Sequence, residues 1–214
     1  EEFSSIQKNK VTFLGYNFYG VGGTVFATRS LAEALLEKNY LVELLSLKCT
    51  AKPKEMPYGL QLTALYKANS RRKIELLKRG FFRWKGLYGH LDCDCSRQNL
   101  SPYAGMAMRK KLENIISTRE SLHLFLNDAT SEKIEEKIYF FHCTAALVNE
   151  LFPDIVNKME KIDIGKAVFV SEENRQLYLD KFNFKNYKDY IVLGNTLESS
   201  RSVAREDIGA EEED

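Results

Sequence analysis

Long apolar runs are missing from this 214-residue sequence. No segment approaches the roughly 20 consecutive apolar residues that a membrane-spanning helix requires. The first residues, Glu1, Glu2 and Phe3, also lack the basic and then apolar pattern of a secretory signal. The sequence therefore predicts a cytoplasmic protein with no membrane-spanning helix.

Cysteine is scarce, and neither sign of charge is in excess. The cysteines number four, too few and too irregularly spaced for a disulfide framework, so reduced thiols are expected. Lys and Arg total 31 against 30 Asp and Glu, which leaves a net charge of +1. Such a balance offers no general attraction for nucleic acid, and no nucleic-acid partner is expected.

Several motifs of common enzyme classes are also missing. The glycine run Gly20-Val-Gly-Gly23 has Val25 where a nicotinamide-binding fingerprint has a third glycine, and no GxxxxGK[ST] segment follows. His90, Cys93 and Cys95 lack the second ligand pair of a zinc site. These absences argue against a dinucleotide oxidoreductase, a P-loop enzyme and a resident metal.

What the sequence does contain is a repeated alternation of strands and helices. A strand at 11–18, a glycine turn, a helix at 24–38 with Thr24 as its cap and Asn39 as its stop, and a strand at 41–47 form a βαβ unit. Further strands are predicted at 61–66, 115–118, 137–142, 166–170 and 190–193, and further helices at 104–114, 121–126, 145–159 and 171–182, with Ser121 and Ser171 as caps. This order predicts an α/β fold with a doubly wound, Rossmann-like parallel sheet.

Ligands of such sheets bind beyond the carboxyl ends of the strands. The glycines after the first strand would let backbone N–H groups approach a phosphate or sugar, although a purely structural tight turn fits them too. His142 ends the fifth strand, where it is either a packing residue or a catalyst. Arg119 and Glu120 follow the fourth strand, where they form either an anion site or a surface ion pair.

Two segments stand apart from this alternation. Residues 71–90 carry seven basic residues and one acid among aromatic and aliphatic side chains, a pattern that suits an anionic membrane surface. A solvated helix with one apolar stripe fits this pattern equally well. Residues 199–214 form a polar tail without apolar periodicity and are expected to be a linker or a solvated end.

Five segments together resemble glycosyltransferase family four, and in particular bacterial members that modify teichoic acid, related surface polymers or glycoproteins. The family has two Rossmann-like domains, the GT-B fold. The resembling segments are VTFLGYNFYGVGGT at 11–24, IISTRESL at 115–122, IYFFH at 138–142, AVFVSEEN at 167–174 and IVLGNT at 191–196. The resemblance implies that residues 1–198 are the acceptor-side, N-terminal domain, and that the C-terminal nucleotide-sugar domain is absent from this chain.

The resemblance assigns roles near the donor to four residues. Gly22 and Gly23 would approach the donor sugar and its diphosphate, with Thr24 opening the helix behind them. His142 would contact the donor sugar near the bond that breaks, as the catalytic residue of this half. Many relatives have an acid directly before this histidine, where the present chain has Phe141.

Three more positions carry over from the family. Arg119 would lie on the acceptor or phosphate side, and Glu173 would contact the acceptor. Asn195 would be the hinge between domains, although Gly194 replaces the usual proline before it.

The implied reaction transfers a sugar from a nucleotide-diphosphate-sugar, taken to be a UDP-sugar, to a hydroxyl on a polymeric or membrane-attached acceptor. It retains the anomeric configuration and uses neither a metal nor another cofactor. The enzyme would act in the bacterial cytoplasm at the inner face of the membrane, in cell wall biosynthesis, and the isolated chain would be inactive. The alternative is a non-catalytic α/β module that binds a protein partner or a glycan.

Overall fold

The computed structural model describes residues 10–50, 56–67, 71–74, 77, 113–128, 134, 136–151, 159, 164–182 and 187–194. Seven strands form one sheet: β1 Lys10–Gly15, β2 Leu41–Cys49, β3 Leu60–Lys67, β4 Asn114–Ser117, β5 Lys137–Phe141, β6 Ile164–Phe169 and β7 Tyr187–Val192. The helices between them are α1 Gly23–Glu37, α2 Glu120–Asp128, α3 Ala145–Leu151 and α4 Glu172–Phe182.

The strand order of the sheet is β3-β2-β1-β4-β5-β6-β7, and every neighbouring pair is parallel. The chain first runs outward from β1 to β3 and then returns to the other side of β1, so the order reverses between β1 and β4. This is the doubly wound, Rossmann-like arrangement, and the sequence prediction of the fold class is confirmed.

Alternate residues of the strands point into two separate cores. This follows from the period of two along a β-strand, and because both faces are covered the central strands are apolar almost throughout. Buried residues on the side of α2, α3 and α4 include Leu14, Leu45, Phe141 and Phe169. Their strand neighbours Phe13, Leu44, Phe140 and Val168 are buried on the side of α1.

Helix ends follow local sequence signals. Asn39 has a φ of 63°, and the N–H groups of Asn39 and Tyr40 donate to the carbonyls of Leu36 and Leu35. Asparagine tolerates this left-handed conformation, so it ends α1 as predicted. At α4, the Ser171 hydroxyl accepts a hydrogen bond of 3.0 Å from the Asn174 N–H, which confirms the predicted cap.

Thr24 is not a helix cap, contrary to the prediction. Gly22 occupies the cap position of α1 without a side-chain hydrogen bond, and Thr24 lies inside the first turn. At α2 the helix begins at Glu120, so Ser121 is likewise already helical.

Other differences concern the bounds of elements. The first strand ends at Gly15 rather than at residue 18, because Phe18 turns back and donates its N–H to the Ser46 hydroxyl at 3.0 Å. The predicted helix at 104–114 lies outside the described residues except for its end, and Asn114 already belongs to β4. The segment at 145–159 is helical at Ala145–Leu151 and again at Met159.

We expect Gly15→Ala to lower the free energy of unfolding by about 1–3 kcal/mol. A Cβ atom at Gly15 would lie 2.4 Å from Cζ of the buried Phe18 ring, which would have to leave its place in the core. Chemical denaturation measures the change. Gly165→Ala is the matched control, since a Cβ at that strand glycine meets nothing within 4 Å. Equal stability changes in the two variants would contradict the packing role of Gly15.

Candidate functional site

A crevice lies at the carboxyl edge of the sheet, where the strand order reverses between β1 and β4. Its lining comes from the loop after β1, the first turn of α1 and the segment after β4: Gly15, Tyr16, Asn17, Phe18, Thr24, Val25, Thr118 and Arg119. Open α/β sheets bind their ligands at this position. The fold thus brings Thr24 and Arg119, far apart in sequence, to one crevice.

The loop after β1 is tied toward β2 and β3. The Ser46 hydroxyl on β2 donates to the Lys48 carbonyl at 2.8 Å and accepts from the Phe18 N–H. The Asn17 side chain donates to the Thr50 hydroxyl at 2.8 Å. These bonds fix the position of the loop that forms one wall of the crevice.

Gly22 and Gly23 directly precede Thr24 of the crevice lining, and both are exposed. A Cβ atom built at either glycine meets nothing within 4 Å. The cap position of α1 provides no side-chain acceptor, so the N–H groups of the first helical turn have no side-chain cap. Such a helix end has positive potential and donors for an anion.

Arg119 is held next to the crevice from two directions. The residue before it, Thr118, donates from its N–H and its hydroxyl to the Leu14 carbonyl of β1, at 3.1 and 2.9 Å. The Arg119 guanidinium donates to the Cys143 sulfur at 3.3 Å. A fixed cation therefore lies between the ends of β4 and β5.

His142 follows β5 directly and lies beside Arg119. Its ring packs on Phe140 with 3.9 Å between centroids, and its Nε2 atom is buried without a hydrogen-bond partner among the described residues. Burial, and secondarily the Arg119 charge, lower the pKa of His142 to about 3. The imidazole is therefore neutral at physiological pH, with one ring nitrogen as a donor and the other as an acceptor.

Cys143, the next residue, is a free cysteine. Burial, and secondarily the Glu120 charge, raise the pKa of its thiol to about 12, so the sulfur stays protonated and unreactive. It serves as a contact for Arg119 rather than as a nucleophile.

The sequence analysis missed a set of buried polar residues behind the carboxyl edge of the sheet. Glu120 is only 4% exposed, so it points into the interior, and of the two alternatives for Arg119 and Glu120 the surface ion pair does not fit. Its carboxylate accepts from the Cys143 N–H and the Tyr178 hydroxyl, both at 3.2 Å. Asn174 is also buried and donates to the carbonyls of Phe141 and Cys143. The usable signal was the helical spacing of four between Asn174 and Tyr178, which places both on one face of α4.

His123 was also missed, and it is structural. It is fully buried in α2, where its Nδ1 lies 2.8 Å from the Ser117 hydroxyl at the end of β4. Burial first, and then the nearby His142, lower the pKa of His123 to about 3, while the Phe140 carbonyl offsets part of this shift. Its ring contacts Phe141 on the face of β5 opposite to Phe140, away from the crevice.

Of the remaining predicted site residues, the structure describes Glu173, which does not line the crevice. Glu173 lies exposed in the first turn of α4. Asn195, the tail at 199–214 and the trio of His90, Cys93 and Cys95 lie outside the described residues, as does 71–90 apart from 71–74 and 77.

The described ranges offer neither a metal site nor a membrane-spanning helix. They contain no group of three His, Cys, Asp or Glu side chains that could hold a metal ion. No helix within those ranges combines the length and apolar character that crossing a membrane requires.

Comparison with known proteins gives a fold-level likeness. Neither a protein-family model nor a curated protein sequence matches the chain. Among solved structures, the chain is similar to WaaG, a glycosyltransferase involved in lipopolysaccharide biosynthesis, with a TM-score of 0.46 and 11% identity. The likeness covers 94% of this chain and 52% of WaaG, so the chain spans about half the length of that protein.

We expect acid to destabilise the wild-type chain more than His142→Gln. The unfolded chain protonates a histidine below its ordinary pKa of about 6.5, whereas folded His142 stays neutral until about pH 3. The stability that depends on a neutral His142 is therefore fully present above pH 6.5. Below that pH, the free energy of unfolding falls by up to about 1.4 kcal/mol per pH unit. Urea denaturation at pH 4, 5 and 6 measures this slope, and parallel curves for the two proteins would contradict it.

Proposed function

We propose that this chain is the acceptor-side domain of a retaining glycosyltransferase. The reaction would move a sugar from a nucleotide-diphosphate-sugar, taken to be a UDP-sugar, to a hydroxyl of a cell-surface polymer or glycoprotein. The support comes from the five segments that resemble glycosyltransferase family four, together with the crevice into which the fold collects several of their residues. The proposed enzyme has a second domain, which holds the nucleotide.

One observation carries the proposal: residues from three of the resembling segments surround the same edge of the sheet. Gly22, Gly23 and Thr24 lie at the start of α1, Arg119 lines the crevice with Thr24, and His142 is next to Arg119. A crevice with a glycine-lined helix end on one side and an arginine on the other suits an anionic, polar ligand.

The chemistry of sugar transfer fits these groups. When the bond between sugar and diphosphate breaks, negative charge grows on the departing phosphate. Fixed donors that need no rearrangement stabilise such charge most effectively, and Arg119 and the first turn of α1 are of this kind. In the proposal, the neutral His142 ring exchanges hydrogen bonds with sugar hydroxyls without adding a second positive charge. Glu173 and Asn195 keep their proposed acceptor and hinge roles.

We expect Gly23→Ala to reduce turnover of the nucleotide-sugar by about tenfold or more, because the new methyl group would enter the space that the ligand approaches. Stability should be unchanged or higher, since a Cβ there meets no protein atom and alanine favours helix. The assay follows nucleoside-diphosphate release from a panel of nucleotide-sugars by the full-length protein from its source.

Gly165→Ala serves again as the control, because Gly165 is the second residue of β6, at the opposite edge of the sheet. Unchanged turnover in Gly23→Ala would remove the glycine loop from the donor site. If the wild-type protein neither binds nor turns over any nucleotide-sugar in the panel, the transferase proposal fails and a non-catalytic binding module replaces it.

The proposal also includes contact with the inner face of an anionic membrane. Residues 71–74 and 77 are exposed, with Arg71, Arg72 and Lys73 next to Ile74 and Leu77. Ile74 is 63% exposed and Leu77 73%. Residues three apart share one face of a helix, so the two apolar side chains lie together beside the basic cluster. Apolar insertion with adjacent cations is the pattern of an interfacial helix.

We expect the double variant Ile74→Ser, Leu77→Ser to bind vesicles containing anionic phospholipid several-fold more weakly than the wild type, because it loses the apolar part of the contact. Co-sedimentation at low and high salt separates this part from the charge-dependent part. Tyr58→Ser is the control, since Tyr58 is fully exposed and lies elsewhere on the chain. Equal binding by the double variant and the control would contradict the contact.

A further inference from the structure

The backbone around His142 is held on both sides by buried side chains. Two peptide groups flank this residue: one contains the Phe141 carbonyl and the other contains the Cys143 N–H. Asn174 donates to the Phe141 carbonyl at 3.4 Å, and Glu120 accepts from the Cys143 N–H at 3.2 Å. Because the orientations of these two peptide planes define φ and ψ of His142, the two contacts together fix its backbone.

Tyr178 joins the two contacts. Its hydroxyl lies 3.2 Å from the Glu120 carboxylate and 3.1 Å from the Cys143 carbonyl, and it is fully buried. Burial, and secondarily the Glu120 charge, raise the pKa of Tyr178 well above its usual range, so the hydroxyl keeps its proton as a donor.

The orientation of the Asn174 amide is determined by its surroundings. Its nitrogen faces two carbonyls, those of Phe141 and Cys143, each at 3.4 Å. The reverse orientation would place the amide oxygen against two other oxygens, so the NH₂ group must point toward β5. The three side chains come from two helices, α2 and α4, that both pack on the same face of the sheet.

A purely structural strand end would not require this arrangement. Burying a carboxylate and an amide costs free energy unless both are hydrogen-bonded, and apolar side chains could fill the same space. Here the polar atoms converge on the one turn that contains His142. Glu120 also directly follows Arg119 in the chain, so the same turn sets the position of the crevice arginine.

We propose that Glu120, Asn174 and Tyr178 are positioning residues that hold His142 in the orientation used at the crevice. The inference about orientation stands on the structure alone, and its consequence for turnover rests on the proposed function. We call the contacts of these three residues with the flanking peptide groups the backbone clamp. The clamp holds the backbone of His142, and its ring packs on Phe140 with 3.9 Å between the centroids.

The test is an NMR comparison of full-length protein with isotope-labelled histidine. The sequence given has three histidines, and the signals of His142 are those lost in His142→Gln. We expect Tyr178→Phe and Glu120→Ala to move the His142 ring signals, since each removes a group from the clamp. Glu120→Gln should leave these signals near their wild-type positions, because the amide oxygen can still accept from the Cys143 N–H.

Tyr190→Phe is the matched control, since it removes a hydroxyl from a tyrosine on the exposed strand β7. In the same proteins, kcat for nucleotide-sugar turnover should fall by roughly tenfold to a hundredfold in Tyr178→Phe and Glu120→Ala, and be recovered in Glu120→Gln. Thermal unfolding shows that each variant is folded before it is compared.

Two results would overturn the proposal. One is that folded Tyr178→Phe moves the His142 signals no more than Tyr190→Phe does. The other is that Glu120→Gln moves them as much as Glu120→Ala. A wild-type protein without turnover, combined with the expected NMR shifts, would support the clamp and refute the transferase function instead.

Discussion

The pairing of β1 with β4 is the contact on which the candidate site depends. Four residues of each strand are in register, from Val11 with Asn114 to Leu14 with Ser117. At the end of the pair, the Leu14 carbonyl accepts two hydrogen bonds from Thr118, a residue 104 positions away. This pairing reverses the strand order, opens the crevice and places Arg119 opposite the start of α1. The strands and helices that follow β4 add further side chains at the carboxyl edge of the sheet, whose position β1 and β4 have already defined.

The electrostatics of the site follow from where the polar groups are buried. Arg119 lies at the crevice, and burial, with the Arg119 charge as the second cause, lowers the pKa of His142 and keeps its ring neutral. One residue further along, Glu120 is turned inward, where it faces a tyrosine hydroxyl and a backbone N–H rather than solvent. Two adjacent residues thus have different roles: Arg119 supplies a cation to the crevice, and Glu120 supplies a hydrogen-bond acceptor to the buried groups behind it. Because α2 begins at this point, the change of backbone direction sends the two side chains to opposite sides.

The sequence allowed the sheet to be predicted because strands buried on both faces have a strong apolar signal. The segments around Phe13, Leu44 and Phe140 are of this kind, and the predicted strands there match within a few residues. The position of His142 at the carboxyl edge of the sheet also followed from the predicted alternation of strands and helices. The roles of Glu120, Asn174 and Tyr178 could not be predicted in this way. Their roles depend on side chains of α2 and α4 meeting behind the end of β5. The spacing of Asn174 and Tyr178 along α4 shows that they share a face, but it does not show that this face meets Glu120.

The glycines at the end of β1 and in the loop after it have different structural causes. Gly15 is explained within the chain, because the Phe18 ring occupies the space where its side chain would be. Gly22 occupies the cap position of α1 with a φ of 158°, a place where glycine is preferred to alanine. Gly23 has no neighbour within 4 Å, and alanine would be the better residue there if packing and helix propensity alone decided. Packing therefore accounts for Gly15 and the cap position for Gly22, but neither accounts for Gly23. Gly23 thus leaves open space at the start of α1 that the packing of the described residues does not explain, and the proposed approach of an anionic donor would give that space a use.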